Sequence, residues 1–534
     1  MSNMRQAATH TAPVLIVGGG PVGLSTALAL SRFGVRSLLV ERHPATSIHP
    51  KARGINVRTM ELFRQWEIEP AVRAAGLPAE QLQFMRAATL TSSDFSRSRS
   101  DWTPETLQAI SPTSGLLCSQ DVLEPVLLNR VRHMGLAQIE FGTQLTRFQQ
   151  HARGVTATLT DGATGEQRIV QAAYVVAADG AASGARDSLD IAMVGPELAY
   201  SVSILFRADL ATTVADRASA VYFVANPDIS GVFMAVNNQD RWLFGTRYRP
   251  ALGERAEDFT AARCTDLVRK AVGLADLPVQ IESILPWTAA ARVAQQFRGG
   301  RVFLAGDAAH QMTPMGAFGM NTGIQDGHNL AWKLAGVLGG WAGADLLNTY
   351  QAERQPVAIM TVEQSRKLWE SGGPDNVDGN LAVVLGFAYQ STAVVLDGQA
   401  PLDEVDSMRA ARLGARAPHV WLFRRGRRIS TLDLFGSGFV LLAGPSGRAW
   451  CEAAERVSRQ LAVPLQALVV GASSDLADPA GTWCETYGVS EAGAVLVRPD
   501  GHVAWRQADQ ADAPQAELLR VLQLLLMGHP IRLR

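Results

Sequence analysis

The chain has 534 residues, 47% hydrophobic and 19% charged, with a formal net charge of −1. At roughly 150 residues per domain this length predicts three or four domains with ample core. The near-neutral balance offers no field to gather nucleic acid or an anionic membrane, and no apolar run reaches the ~18 residues of a membrane span. Four scattered cysteines (Cys118, Cys264, Cys451, Cys484) form no CxxC, which argues against zinc and disulfide frameworks and for a reducing, cytoplasmic setting. The opening MSNMRQAATHTA lacks the apolar core of a secretory signal and reads as a frayed tail.

Residues 12–42, APVLIVGGGPVGLSTALALSRFGVRSLLVER, carry the strongest local signal. Val14–Val17 reads as a buried parallel strand, followed by Gly18-x-Gly20-x-x-Gly23, a helix closing at Gly34, and a second strand ending on Glu41. Gly18 permits the tight turn, Gly20 lets backbone approach a pyrophosphate, and Gly23 lets helix and strand pack closely. The helix start offers N–H groups and a positive dipole end to phosphates, and Glu41 is placed to accept from a ribose diol. This context points to dinucleotide binding, by NAD or FAD alike, and it occurs once.

Further along, YVVAADGAASGAR (174–186) sets a strand, Tyr174–Ala177, ahead of Asp179, Ser183 and Arg186. Between 190 and 295 the segments SVSILFRADL, ASAVYFVAN, SGVFMAVNN and DRWLFGTRY alternate as antiparallel strands do. GRVFLAGDAAHQMTPMGAFGMNTG (300–323) then gives a strand, Val302–Ala305, Gly306-Asp307, and a loop with Pro314. An amphipathic helix is expected over 324–338, with Asn321 as its cap. Three strands that end in glycine or acid turns should meet at one carboxyl edge, where such sheets bind ligands. SGGPDNVDGN (371–380) reads as a loop, 400–418 as a linker, and RRGRR (424–428) as a solvated turn. The remainder predicts a strand at 439–443, a helix at 447–462, a strand at 464–470, another helix, and a hairpin turning at Pro499-Asp500-Gly501.

GxGxxG with Glu41, DGxxSxxR and GDAAHxxxP together resemble the para-hydroxybenzoate-hydroxylase-like class A FAD-dependent aromatic monooxygenases. KARGINVRTMELFR (51–64), SQDVLEPVLL (119–128) and NTYQAERQPVA (349–358) resemble their polyketide-tailoring subgroup of anthracycline and angucycline hydroxylases. The resemblance spans essentially the whole chain and implies an α/β fold in three parts. A Rossmann-like (GR2-type) FAD-binding domain would occupy 1–190 and 290–400, with 1–12 as tail. An inserted α+β substrate domain would occupy 191–289. A thioredoxin-like α/β domain without CxxC would occupy 415–534, its expected role being packing or dimerisation in a homodimer.

Residue by residue, the resemblance implies that Gly18, Gly20, Pro21, Val22, Gly23, Glu41 and Arg42 hold the ADP half of FAD. Asp307 would bind the ribityl chain and Gln120 would contact the flavin side. Asp179 would serve a motif shared by FAD and NAD(P)H binding. Pro314, Gly319, Met320 and Asn321 would lie at the flavin ring, where the following helix dipole favours negative charge on reduced flavin. His310 is expected to pack beside the cofactor. Relatives often carry arginine directly after the proline at position 50; here Pro50-Lys51-Ala52-Arg53 leaves Lys51 or Arg53 to reach the pyrophosphate. Gly316-Ala317 stands where two glycines are common.

The implied activity is hydroxylation of a polycyclic, phenolic aromatic small molecule through a flavin C4a-hydroperoxide. FAD would be bound, NADPH or NADH a transient reductant, and O2 a co-substrate. This chemistry needs no metal and no nucleophilic triad, and neither is visible in the sequence. The same machinery serves Baeyer–Villiger oxidation, epoxidation or antibiotic inactivation, or, with catalysis lost, a flavin-binding partner protein; the absence of WxWxIP argues against a halogenase. Pro314 and Arg247 are the candidate catalytic residues, Arg247 by activating a phenol. Tyr222, Phe233, Arg241, Phe244 and Trp287 are candidates for the substrate-facing side of the sheet.

Overall fold

The computed structural model describes residues 10–526 apart from 79–80, 82, 99–106, 372–377, 396–405, 473 and 475. Residues 1–9 of the expected tail, most of the expected loop at 371–380 and the first part of the expected linker lie outside these residues, while the rest of the expected tail, His10, Thr11 and Ala12, already belongs to the first strand. Two corrections follow for the rest: a helix starts at Asp378 (Asp378–Leu385), and Ala415, Arg416 and Ala417 are buried rather than exposed as a linker would be.

The apolar run Val14–Val17 is covered on both faces because its strand, His10–Val17, lies inside an eight-stranded sheet. It runs parallel to Ser37–Glu41 on one side and Gln167–Ala177 on the other, and Val302–Leu304 extends the sheet beside the latter. Helix Pro21–Arg32 packs between helices Gln120–Met134 and Phe318–Leu338.

The second sheet has seven strands, in the order Gln280–Ala290, Glu197–Arg207, Arg241–Tyr248, Ser230–Ala235, Val221–Ala225, Phe84–Ala87 and Phe95–Ser98. All four alternating segments are strands, and two more come from before residue 100, ahead of the expected insert. Helix Ala261–Val272 covers one face. The third sheet, in the order Leu465–Val469, Phe439–Ala443, Ala494–Val497 and Val503–Gln507, pairs its first two strands in parallel and the rest antiparallel. The 424–428 stretch turns a small hairpin, with Arg425 and Gly426 both left-handed.

The helix expected to be amphipathic over 324–338 begins at Phe318 and is buried on nearly every side. The polar stripe that would face water meets the C-terminal region instead. Glu353 takes hydrogen bonds from Lys333 Nζ (2.7 Å), Asn329 Nδ2 (2.7 Å) and both terminal nitrogens of Arg498 (2.6 and 2.8 Å). Arg498 also pairs with Asp500 in the hairpin turn, whose backbone oxygen accepts from Arg58 (3.0 Å). All these groups are buried, and burial presses the Lys333 ammonium down to about 8 against the pull of Glu353. Nearby, Trp332 meets Phe439 edge-on at 5.8 Å.

Removing Arg498 takes the guanidinium from two buried carboxylates, leaving Glu353 with Lys333 as its one cation and Asp500 with the Asn329 amide and His502. Arg498→Met is therefore expected to cost about 3–5 kcal/mol, read as a marked fall in the thermal unfolding midpoint; an unchanged midpoint would show that the network does not hold the C-terminal region in place.

Candidate active site

Parallel registry brings three strand ends side by side, Val17 opposite Ala177 and Ala177 opposite Leu304. The turns after them converge on one groove. Gly18 (φ +109°) and Gly23 are glycines for packing: a Cβ would fall 2.2 Å from Ala178 O and 1.9 Å from Gly18 O, respectively. Gly20 is different. A Cβ there would meet nothing nearer than Glu124 Oε1 at 4.0 Å, so its backbone stands open at the start of helix 21–32. Pro21 begins that helix where a missing N–H costs nothing, and the first-turn N–H groups have no intrahelical acceptor.

Glu41 is oriented by backbone, accepting from Gly19 N (2.6 Å) and His43 N (2.9 Å). Arg42 lies exposed beside His43. Sequence reasoning missed Glu124, a buried acid one helical turn after Gln120. Burial pushes its carboxyl up, although it accepts from Gln120 Nε2 (2.7 Å) and Ser47 N (2.7 Å). Gln120 Oε1 in turn accepts from Ala52 N (3.2 Å), which ties the 47–52 segment over the groove. A buried acid paired across one turn with a buried amide was the available signal.

Of the two cations offered for the pyrophosphate, Arg53 points elsewhere. Its guanidinium donates to the carbonyls of Ala220 (3.3 Å) and Ala235, securing the second sheet. Lys51 stays exposed and exerts its charge on Asp307 and Glu124. Asp179 Oδ2 accepts from Ala185 N (3.2 Å), and its Oδ1 is buried without a partner.

Asp307 is the exception in a tightly bonded turn. Its side chain opens to the groove and, among the described residues, no hydrogen bond or ion pair reaches its carboxylate. The surrounding protein pushes its carboxyl up by desolvation, against the pull of His310 and Lys51. The turn itself is held from behind. Asp326 accepts from Gly306 N (3.1 Å), His310 Nε2 lies 2.7 Å from it, and Arg354 Nε donates to it at 2.7 Å. Burial works against the Asp326 charge, yet Arg354 and His310 keep its pKa below the usual carboxylate range. His310 is thus an internal strut.

Past Asp307, Thr313 and Ser365 lock together through their hydroxyls (2.5 Å), fixing the loop that presents exposed Pro314. Gly316 (φ +78°) and Ala317 (φ +54°) are both left-handed before the helix begins. Alanine there costs about 1–2 kcal/mol relative to an unstrained site. Asn321 does not cap the helix; it lies within it. Its amide donates to Ala317 O (2.6 Å) and Gly54 O (2.8 Å) and accepts from Asn56 N (3.0 Å), stapling the helix start to the 54–56 segment. Gly319 and Met320 are half-buried on the same turn.

Registry also sorts the second sheet's two faces. Ile284, Ile204, Phe244, Phe233, Tyr222 and Met85 stand in one row against helix 261–272. Tyr222, Phe233 and Phe244 therefore belong to a core and not to a pocket, Tyr222 Oη donating to Asn238 Oδ1 at 2.7 Å. Alternation told which residues share a face but not which face was which. The opposite face looks toward the groove: Ser283 Oγ meets His49 Nδ1 (3.2 Å), and Arg241 pairs with Asp121 and donates to Ile48 O (3.1 Å). Arg241 is accordingly a clamp between the two halves. Trp287 lies on this face, bonding Ser203 Oγ (3.0 Å), and exposed Arg247 stacks over Trp369 at 4.3 Å.

Comparison with known proteins agrees with this geometry. Residues 11–365 match the family model of the FAD binding domain and residues 410–530 that of the aromatic-ring hydroxylase C-terminal region. A tetracenomycin A2 monooxygenase-dioxygenase of Streptomyces glaucescens is 40% identical, over 97% of both chains. A 4-methyl-5-nitrocatechol 5-monooxygenase of a Burkholderia species is also 40% identical, over 96% of this chain and 97% of its own. The crystal structure of aklavinone-11 hydroxylase in ternary complex with FAD and aklavinone is similar at TM-score 0.89 and 39% identity, covering 97% of this chain and 99% of that one.

The groove fits FAD on its own terms: open backbone at Gly20, an oriented Glu41, and an Asp307 carboxylate with no partner among the described residues. Asp307→Asn should weaken FAD binding by about 10–100-fold, the worth of a charge-assisted hydrogen bond. The same change should stabilise the apoprotein. A folded-state pKa above the ordinary 3.8 means that ionisation disfavours folding as pH rises past that value, so the gain is present at neutral pH and absent in strong acid. FAD titration and apoprotein unfolding at two pH values check both halves.

Proposed function

The chain belongs to the FAD-binding aromatic-ring hydroxylases, and we propose that its substrate is an electron-rich polycyclic phenol of the polyketide kind. The observation that carries this reading is the groove itself, with an unpartnered Asp307 carboxylate on one wall and the half-buried Phe223, Val232, Met234 and Trp287 on the sheet opposite. Support for the substrate class comes from relatives named for tetracenomycin and aklavinone. When bound, FAD takes electrons from NAD(P)H and activates O2, so that one oxygen atom reaches the ring.

The protein's own part is binding and positioning. Glu41 and the open backbone at Gly20 would take the ADP half, Lys51 the pyrophosphate in place of the engaged Arg53, and Asp307 the ribityl hydroxyls. Gln120 would border the flavin side, and Asp179 the region shared with NAD(P)H. The first-turn N–H groups around Gly319 and Met320 would offer donors to negative charge, and the Thr313–Ser365 lock would hold Pro314 against the ring. Arg247 is the candidate to favour the phenolate form of the substrate. The strand order 465–469, 439–443, 494–497, 503–507 supports the thioredoxin-like reading of the C-terminal region. Its absent CxxC supports a packing or homodimer role over a redox one. Among the described residues no helix is long and apolar enough to cross a membrane, and a cytoplasmic location is part of the same proposal.

The nitrocatechol relative supports a second reading, a single-ring substrate. Protein carrying FAD is expected to oxidise NAD(P)H faster when hydroxylated anthraquinones are added, with 18O from 18O2 entering a hydroxyl of the product. Stimulation by nitrocatechols alone favours the second reading, label in a ring-expanded lactone favours Baeyer–Villiger oxidation, and no substrate-stimulated turnover sinks the enzyme reading. Arg247→Ala is expected to lower kcat/KM by about tenfold or more, the scale of one charged hydrogen bond. A value equal to wild type removes Arg247 from the site.

A further inference from the structure

The strand Arg241–Tyr248 crosses the groove with both ends tied to the FAD-binding half. Arg241 is clamped to Asp121 and Ile48 O at one end, and Arg247 lies over Trp369 at the other. Six steps of antiparallel strand cover about 20 Å, so the groove-facing residues between them, Leu243 and Gly245, overlie the space between the 48–53 segment and helix 349–370. Leu243 is packed in, 2% exposed. Gly245 is not.

A Cβ at Gly245 would meet nothing nearer than Val232 O at 3.9 Å, and its φ is not positive. Neither the backbone nor the packing of this chain requires glycine there. Gly231, on the adjacent strand and facing the other way, shows the contrast: its Cβ would land 2.4 Å from the Phe244 ring. Beside Gly245 in register stands Ser203, whose hydroxyl is already engaged by Trp287. Valine and aromatic residues are the ordinary occupants of a central strand. Ser203 is buried, 8% exposed, so the flat strip these two small residues make is open at Gly245, where Trp287, Val232, Phe223 and Arg247 bound it.

We propose that the Ser203–Gly245 strip is the seat for the flat face of the substrate, and that glycine at 245 sets how many fused rings the groove admits. This rests on the aromatic-substrate reading above. Ring faces pack against carbon at about 3.5–4.0 Å, so a side chain at 245 lifts any ring plane that lies across the strip. A single ring has room to sit beside it, whereas three fused rings must lie over it.

The test uses full-length wild type, Gly245→Val and Gly245→Ala, each loaded with FAD, and follows flavin absorbance as catechol, 1,5-dihydroxynaphthalene and 1,8-dihydroxyanthraquinone are titrated in. Gly245→Val is expected to lose about 10–100-fold in affinity for the three-ring probe, the scale of overpacking one side chain. Catechol binding should hold, and Gly245→Ala should fall between. Gly245→Ala, which adds a single methyl where no protein atom lies nearer than 3.9 Å, stands in if Gly245→Val fails to fold. Unchanged three-ring affinity, or an equal loss for all three probes, overturns the seat while leaving the aromatic reading intact. A wild type that binds none of the three overturns both.

Discussion

Helix 318–338 is buried around its whole circumference while carrying Asn321, Asp326, His328, Asn329 and Lys333. Buried polar groups need partners, and a buried charge needs a counter-charge. The FAD-binding half and the C-terminal hairpin deliver them. The 54–56 segment meets Asn321, the Gly306 turn and Arg354 meet Asp326, and Glu353 with the C-terminal hairpin meets Asn329 and Lys333. The cofactor groove is shaped by this requirement, since the turn that bears Asp307 is secured through Asp326 and the Pro314 loop runs straight into the helix.

Close approach is the second theme. A Cβ on Gly323 would sit 2.8 Å from Gly306 Cα, and one on Gly327 would sit 2.2 Å from Thr26 Oγ1. Glycines on one face of helix 318–338 thus let it press on the Asp307 turn and on the dinucleotide helix together. Gly20 and Gly245 work by the opposite rule, because their missing side chains leave space that no protein atom fills. The same residue type sets a contact in one place and open backbone in the other.

Much of this was legible in the sequence because the dinucleotide and GD motifs are local. A strand, a glycine turn and a helix each declare themselves within a few residues, and the expected strand at 439–443 agrees with Phe439–Ala443 to the residue. What escaped depends on distant partners. Helix 324–338 read as amphipathic because its polar stripe looks solvated until Arg498 and Asp500 are folded onto it. Arg53 read as a phosphate ligand because nothing nearby announces the carbonyls of Ala220 and Ala235. Tyr222, Phe233 and Phe244 fall on the core face, which a period of two does not distinguish from the other side. Asn321 looked like a cap, and only the left-handed Ala317 before Phe318 shows that the helix had already begun.

The Glu353–Arg498 contact joins residues 145 positions apart, and its second partner comes from nearly the end of the chain. A ribosome releases Lys333 and Glu353 well before Arg498 exists, and domains generally form as they emerge. The nascent FAD-binding half can pair Lys333 with Glu353 at once, and Arg498 with its own partner Asp500 joins that pair only when the last hairpin arrives. The C-terminal hairpin is thus the last piece to join a buried network that the FAD-binding half has already begun to pair.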